Sequence, residues 1–218
     1  MDKEKEGENV TERKSGNGAD GDSIFDEAFR KMIEGLPPLV ISLVNEMFGT
    51  DYAEDEEVVQ LRNEHHEVNG TLIADALVEI HGKLFHIECR SSKDGTMSLR
   101  MIEYDFAIAF ERAKKEPDGR CHVRIPDSCV LYIRNHRSVP EYHEVVVEMP
   151  DGRELTYRAK TMQARDYSAD QIIEKNLHIL APFHILRREA FVKSGRKDAS
   201  KLEELAKDMS WSSDPQAW

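Results

Sequence analysis

The feature that most constrains this chain is a pair of strand-like runs joined by a two-residue turn. Ile73-Ala74-Asp75-Ala76-Leu77-Val78-Glu79-Ile80 leads through His81-Gly82 into Lys83-Leu84-Phe85-His86-Ile87-Glu88-Cys89-Arg90. Both runs are apolar and β-branched enough to be strands, and a two-residue connection forces them to be antiparallel neighbours. Such a hairpin must be buried, yet it carries Asp75, Glu88 and Arg90. Ionisable groups inside an apolar run carry a desolvation cost, so they mark a site rather than a surface.

Side chains alternate along a strand. Asp75, Leu77 and Glu79 therefore share one face of their strand, and His86, Glu88 and Arg90 share one face of the next. If register puts the two sets on the same side, Asp75 and Glu88 approach each other. Two such carboxylates repel, and a hard divalent ion such as Mg²⁺ or Mn²⁺ relieves that repulsion with oxygen ligands. The backbone carbonyl of Cys89 is a candidate third oxygen. An ion held there suits phosphodiester chemistry, with Arg90 placed to orient the attacking water or to neutralise charge on phosphorus.

The flanking sequence sets the architecture. Residues 1–21 are polar and acidic without periodicity, and read as a tail. Asp22-Ser23 opens a helix that Gly35-Leu36-Pro37-Pro38 interrupts, and a second runs from about Leu39 to Phe48. Strands are expected over 58–61, 72–80 and 84–90, with a hairpin turn at Asn69-Gly70. A helix follows over 96–115, then a buried strand over Cys129–Ile133. A further hairpin spans 145–149 and 154–159, with helices over 168–177 and 182–209 and a tail from 211. The order αβββαβ implies an α/β fold, a central mixed sheet flanked by helices. The expected domains are a core over 22–160 and a helical extension over 161–210.

Composition narrows the setting. Forty-two acidic against 30 basic residues give a net charge of −12, which excludes nucleic-acid binding by bulk charge alone. Basic residues do recur at Arg112, Lys114 and Lys115 and from Arg187 to Lys197, as a solvated face or as a DNA-tracking one. Mean hydropathy is −0.60, no apolar run approaches a membrane span, and the N-terminus lacks the apolar core of a signal peptide. Three cysteines without metal-ligand spacing fit a reduced, cytoplasmic protein.

Here the residues carry a resemblance. The Asp75-x(12)-Glu88-x-Arg90 spacing, with a helix before and a helix after, resembles the PD-(D/E)XK nuclease superfamily. Asp22-Ser23-Ile24-Phe25, Val44-Asn45-Glu46-Met47-Phe48-Gly49, Phe85 to Ser91 and Asp94 to Tyr104 resemble the recombination-promoting nuclease and transposase family. The likeness covers roughly 22–135. It implies a restriction-endonuclease-like core acting as a Mg²⁺-dependent DNA endonuclease in mobile-element recombination. Asp75 and Glu88 would hold the metal, and Arg100 and Tyr104, one turn apart, would support the site or touch phosphate. Glu46 is an additional candidate acid.

Arg90 departs from the family, which carries Lys or often Gln there. Arg is permanently cationic and cannot serve as a neutral base. The departure leaves a second function class open, a weakened nuclease fold that binds DNA or a protein. A homodimer would allow paired cuts.

Other polar residues have plainer readings. His86 is a buried, hydrogen-bonded histidine or a ligand. His65-His66 beside Glu64 suggests zinc, but adjacent strand residues point oppositely. His86-x-Glu88 matches the start of a zinc deaminase signature, but Pro126-Asp127-Ser128-Cys129 does not supply the required Pro-Cys-x-x-Cys.

Overall fold

The computed structural model describes residues 22–184, except 62, 63, 68, 69, 135 and 137. Helix α1 (Asp22–Gly35) and helix α2 (Leu39–Phe48) are separated at the Pro37-Pro38 step. Gly49 ends α2 in the left-handed conformation, φ 66°, with its N–H on the Asn45 carbonyl. Then come β1 (Val59–Gln60), β2 (Glu64–Glu67), β3 (Gly70–Ile73), β4 (Ala76–Ile80) and β5 (Lys83–Arg90). His81 and Gly82 both have positive φ, 51° and 74°, as a two-residue hairpin turn demands. Helix α3 (Met97–Glu111) follows, then a small hairpin of β6 (Lys114–Lys115) and β7 (Cys121–His122). Strands β8 (Asp127–Tyr132), β9 (Tyr142–Glu148) and β10 (Glu154–Gln163) lead to α4 (Ala169–Glu174) and α5 (Ala181–His184). Ser168 and Gln171 form a capping box that starts α4.

Six strands make one mixed sheet in the order β1-β4-β5-β8-β10-β9. β5, β8 and β10 are mutually parallel, and the other pairings are antiparallel. Helix α3 lies on the crossover that carries β5 to β8, as parallel pairing requires. The expected α/β architecture is therefore present at the level of a helix-flanked mixed sheet.

The two faces differ in chemistry. On one, Val78, Ile80, Phe85, Ile87, Leu131 and Met162 pack against Phe29, Ile33, Leu43 and Val44 of α1 and α2, together with Ile172, Leu180 and Phe183. That core is wholly apolar. On the other, α3 places Met97 and Met101 on Val130, Tyr132, Tyr157 and Ala159, while Ile108 packs on Leu77 and Leu84. Buried polar residues gather on this second face.

Four expectations are corrected. The strand expected over 72–80 breaks at Ala74-Asp75, so β3 pairs with β2 in a separate two-stranded sheet while β4 joins the main one. Helix α3 stops at Glu111, because Lys114-Lys115 pairs with Cys121-His122. The strand expected over 154–159 runs on to Gln163 as β10 (Glu154–Gln163). The helix expected over 168–177 is only Ala169–Glu174. The tails at 1–21 and 211–218, and the helix expected over 182–209 beyond His184, lie outside the described residues.

Candidate metal centre

Register decides the site. Ala76 pairs with Ile87 and Leu77 with His86, so Asp75, one residue before β4, is level with Glu88 and on the same face. The backbone bends at Asp75, and its carboxylate takes over the ladder there. Oδ2 accepts the Cys89 N–H at 3.0 Å. Oδ1 accepts from Arg30 Nη2 of α1, also at 3.0 Å. Asp75 is 3% exposed and Glu88 1%.

Glu88 hydrogen-bonds to Asp75, yet its Oε1 has no partner. Burial, followed by the charge and hydrogen bond of Asp75, holds the Glu88 carboxyl well above the usual carboxylate range; Arg100 and Arg90 offset this only in part. A buried carboxylate oxygen with no partner, next to a second carboxylate, is the donor set a hard divalent cation takes, with water completing the shell. Asp75 and Glu88 fit such an ion. Among the described residues, however, no third His, Cys, Asp or Glu side chain joins them. For Cys89, it is the N–H that meets Asp75.

Arg100 comes from α3. Its Nη2 donates to Tyr104 Oη at 2.9 Å and its Nη1 to Asp94 Oδ2 at 3.0 Å. Asp94 Oδ1 also receives the N–H and hydroxyl of Thr96, at 2.8 and 2.6 Å. Burial raises the Asp94 carboxyl, but the Thr96 and Arg100 bonds outweigh it and hold it at about 2. Asp94 is thus an anionic brace for Arg100, and Arg100 and Arg90 both act on Glu88. Arg90 Nε is buried without a partner.

Below this cluster lies a second polar group. His86 Nδ1 is 2.7 Å from Asp105 Oδ1. Asp105 Oδ2 accepts from Ser128 Oγ and Tyr157 Oη, each at 2.5 Å. His86 and Asp105 are fully buried, so His86 is a hydrogen-bonded core histidine, its ring centroid 5.9 Å from that of Tyr104.

Sequence reasoning missed Arg30, Asp94 and Asp105. An acid flanked by Tyr104 and Phe106 was the available signal for Asp105, and the Asp94-x-Thr96 turn for Asp94. Nothing in the α1 pattern distinguishes Arg30. Glu46 does not join the centre: it accepts from Lys175 at 2.8 Å and from Tyr167 at 3.0 Å. The side chains of Glu64, His65 and His66 lie outside the described residues. No helix among the described residues is long and apolar enough to cross a membrane.

No protein-family model, curated protein or solved structure matches this chain.

Proposed function

We propose that this chain is a Mg²⁺-dependent DNA endonuclease with a restriction-endonuclease-like core, of the PD-(D/E)XK type that the recombination-promoting nuclease and transposase family represents. The observation that carries the reading is the Asp75–Glu88 pair, with Glu88 Oε1 unpartnered inside the protein. Mg²⁺ or Mn²⁺ bound there would polarise a phosphoryl oxygen and acidify an attacking water. The residues have separable tasks. Asp75 and Glu88 hold the ion, and the Cys89 N–H and Arg30 fix the rotamer of Asp75. Arg100, held by Asp94 and Tyr104, and Arg90 offset charge that grows on the phosphate. Arg90 cannot take a proton, so its role is electrostatic.

Supercoiled plasmid with Mg²⁺ or Mn²⁺ tests the reading. Wild type should nick it, and Asp75→Ala and Glu88→Ala should not; equal rates in all three would sink the proposal.

A second reading rests on two observations. Arg30 already neutralises Asp75, and Arg90, permanently cationic, stands where the resembled family carries Lys or often Gln. Both favour a protein that retains the fold and binds DNA or a protein without cutting. It requires salt-sensitive binding with no cleavage, and calorimetry showing no Mg²⁺ uptake at millimolar ion would select it.

A further inference from the structure

Charge is segregated along the strands. The acidic block at 51–57 sits by the β4–β5 turn, where Glu56 Oε2 is 2.6 Å from His81 Nε2 and Tyr52 packs on the His81 ring. Arg112, just after α3, pairs with Glu79 at the same end, and Lys114 and Lys115 follow it in β6. That basic group is therefore remote from Asp75 and Glu88.

The carboxyl ends of the parallel strands gather a different set of cations. Arg90 is level with Tyr132, and Tyr132 with Gln163, so β5, β8 and β10 finish together. Asp75 and Glu88 lie at that end as well. Lys93 follows β5 by three residues, Arg134 and His136 follow β8 by two and four, and Arg165 follows β10 by two. Loops at such strand ends are where open α/β sheets bind ligands.

These side chains converge on His136. Its Nε2 donates to the Ser91 carbonyl at 3.2 Å, and its ring stands edge-on to Tyr132, with centroids 5.4 Å apart. Burial, and then the charges of Lys93, Arg134 and Arg165, hold the imidazole below its usual pKa, against the pull of the Ser91 carbonyl. The Arg134 guanidinium lies over the Phe25 ring at 4.9 Å. Arg165 has Asp166 at 3.4 Å, but both side chains are partly exposed, and such a pair holds weakly. Asp94 is already taken by Arg100 and Thr96. Arg90 acts on both Glu88 and Tyr132, so positive charge runs from the acid pair out to His136. Cations drawn together in a chain of net charge −12 repel one another until an anion comes between them.

We propose that Lys93, Arg134, His136 and Arg165 form a phosphate site beside the metal centre, holding a phosphate group of the DNA strand engaged at Asp75 and Glu88. The proposal rests on the DNA reading above. Guanidinium forks match phosphate oxygens, and lysine adds a point charge.

Anisotropy titrations of a labelled DNA duplex in Ca²⁺, over a series of salt concentrations, provide the test. Lys93→Gln/Arg165→Gln should weaken binding and make the slope of log affinity against log salt shallower by about 2. Lys114→Gln/Lys115→Gln removes the same charge at the far end and should leave affinity and slope unchanged. Matching melting temperatures would show both variants folded. Duplexes with and without terminal phosphates identify the source. Equal dependence on Lys93 and Arg165 in both assigns a backbone diester, and dependence confined to phosphorylated ends assigns a terminal monoester. A wild-type slope in Lys93→Gln/Arg165→Gln, an equal loss in both double variants, or no DNA binding by wild type would overturn the inference. The two proposals fail separately. Plasmid cutting with binding indifferent to Lys93 and Arg165 removes the phosphate site and leaves the nuclease. Binding that depends on them without metal-dependent cutting removes the nuclease and leaves the phosphate site.

Discussion

Asp75 receives the Cys89 N–H at the point where the neighbouring strand leaves the ladder. One carboxylate therefore completes the sheet and faces the site. Asp75→Ala strands a buried donor and frees Arg30, and should cost about 1–3 kcal/mol of unfolding free energy in urea titrations. Asp75→Asn keeps an acceptor oxygen and should lose less. An alanine variant as stable as wild type would show that the Cys89 bond is not a support of the fold.

Glu88 makes stability fall with rising pH. Its folded pKa is raised, so the native state holds a proton that the unfolded chain releases earlier. Stability is then full below the unfolded carboxylate pKa and is lost as pH rises towards the folded value. Glu88→Gln should melt higher than wild type near neutral pH, and the gap should close towards pH 4. Mg²⁺ should raise the melting temperature of wild type and not of Glu88→Gln, because a ligand stabilises only the state that binds it.

Asp94 works the other way. Its folded pKa of about 2 lies below the unfolded carboxylate value. Its stabilisation is present above the unfolded pKa and disappears as pH falls through about 2. Asp94→Asn should therefore matter at pH 7 and cease to matter near pH 2. It should also weaken plasmid nicking through the loss of the Arg100 brace, and Arg100→Lys, which cannot serve Asp94 and Tyr104 from a planar fork, should do the same.

Asp105 serves three donors, from His86, Ser128 and Tyr157. Asp105→Ala should cost about 3–5 kcal/mol, the range for breaking a buried charged network. Tyr157→Phe should cost about 1–2 kcal/mol. Differential scanning calorimetry reads both.

Arg90 gives a gain-of-function test. If its fixed charge limits cutting, Arg90→Lys should raise the nicking rate above wild type, with Arg90→Gln as the neutral comparison. A Lys variant no faster than wild type would place the limit elsewhere, with Arg30 on Asp75 as the next residue to change.

The hairpin was legible in the sequence because a two-residue turn leaves one pairing partner and a period of two leaves one face. The crossover was legible because Met97 to Phe110 has helical spacing and an apolar strand follows. The break at Ala74-Asp75 was not, since the run from Leu72 to Ile80 has no Gly or Pro and an acid alone reads as a residue within one strand; a side-chain acceptor ends the ladder, and propensity does not register that. Arg30 was equally hidden: it reaches Asp75 from 45 positions away, and local pattern carries no information about that.

The order of assembly follows from the sheet. Asp75 and Glu88 belong to a hairpin that closes within a few residues, whereas β10 docks only after two non-local parallel pairings. Loop closure makes the latter slow. A folding chain should thus hold its paired acids early, mutually repelling, while the far strand is still undocked. Divalent ion in the refolding buffer should speed the first step and leave the last one unchanged.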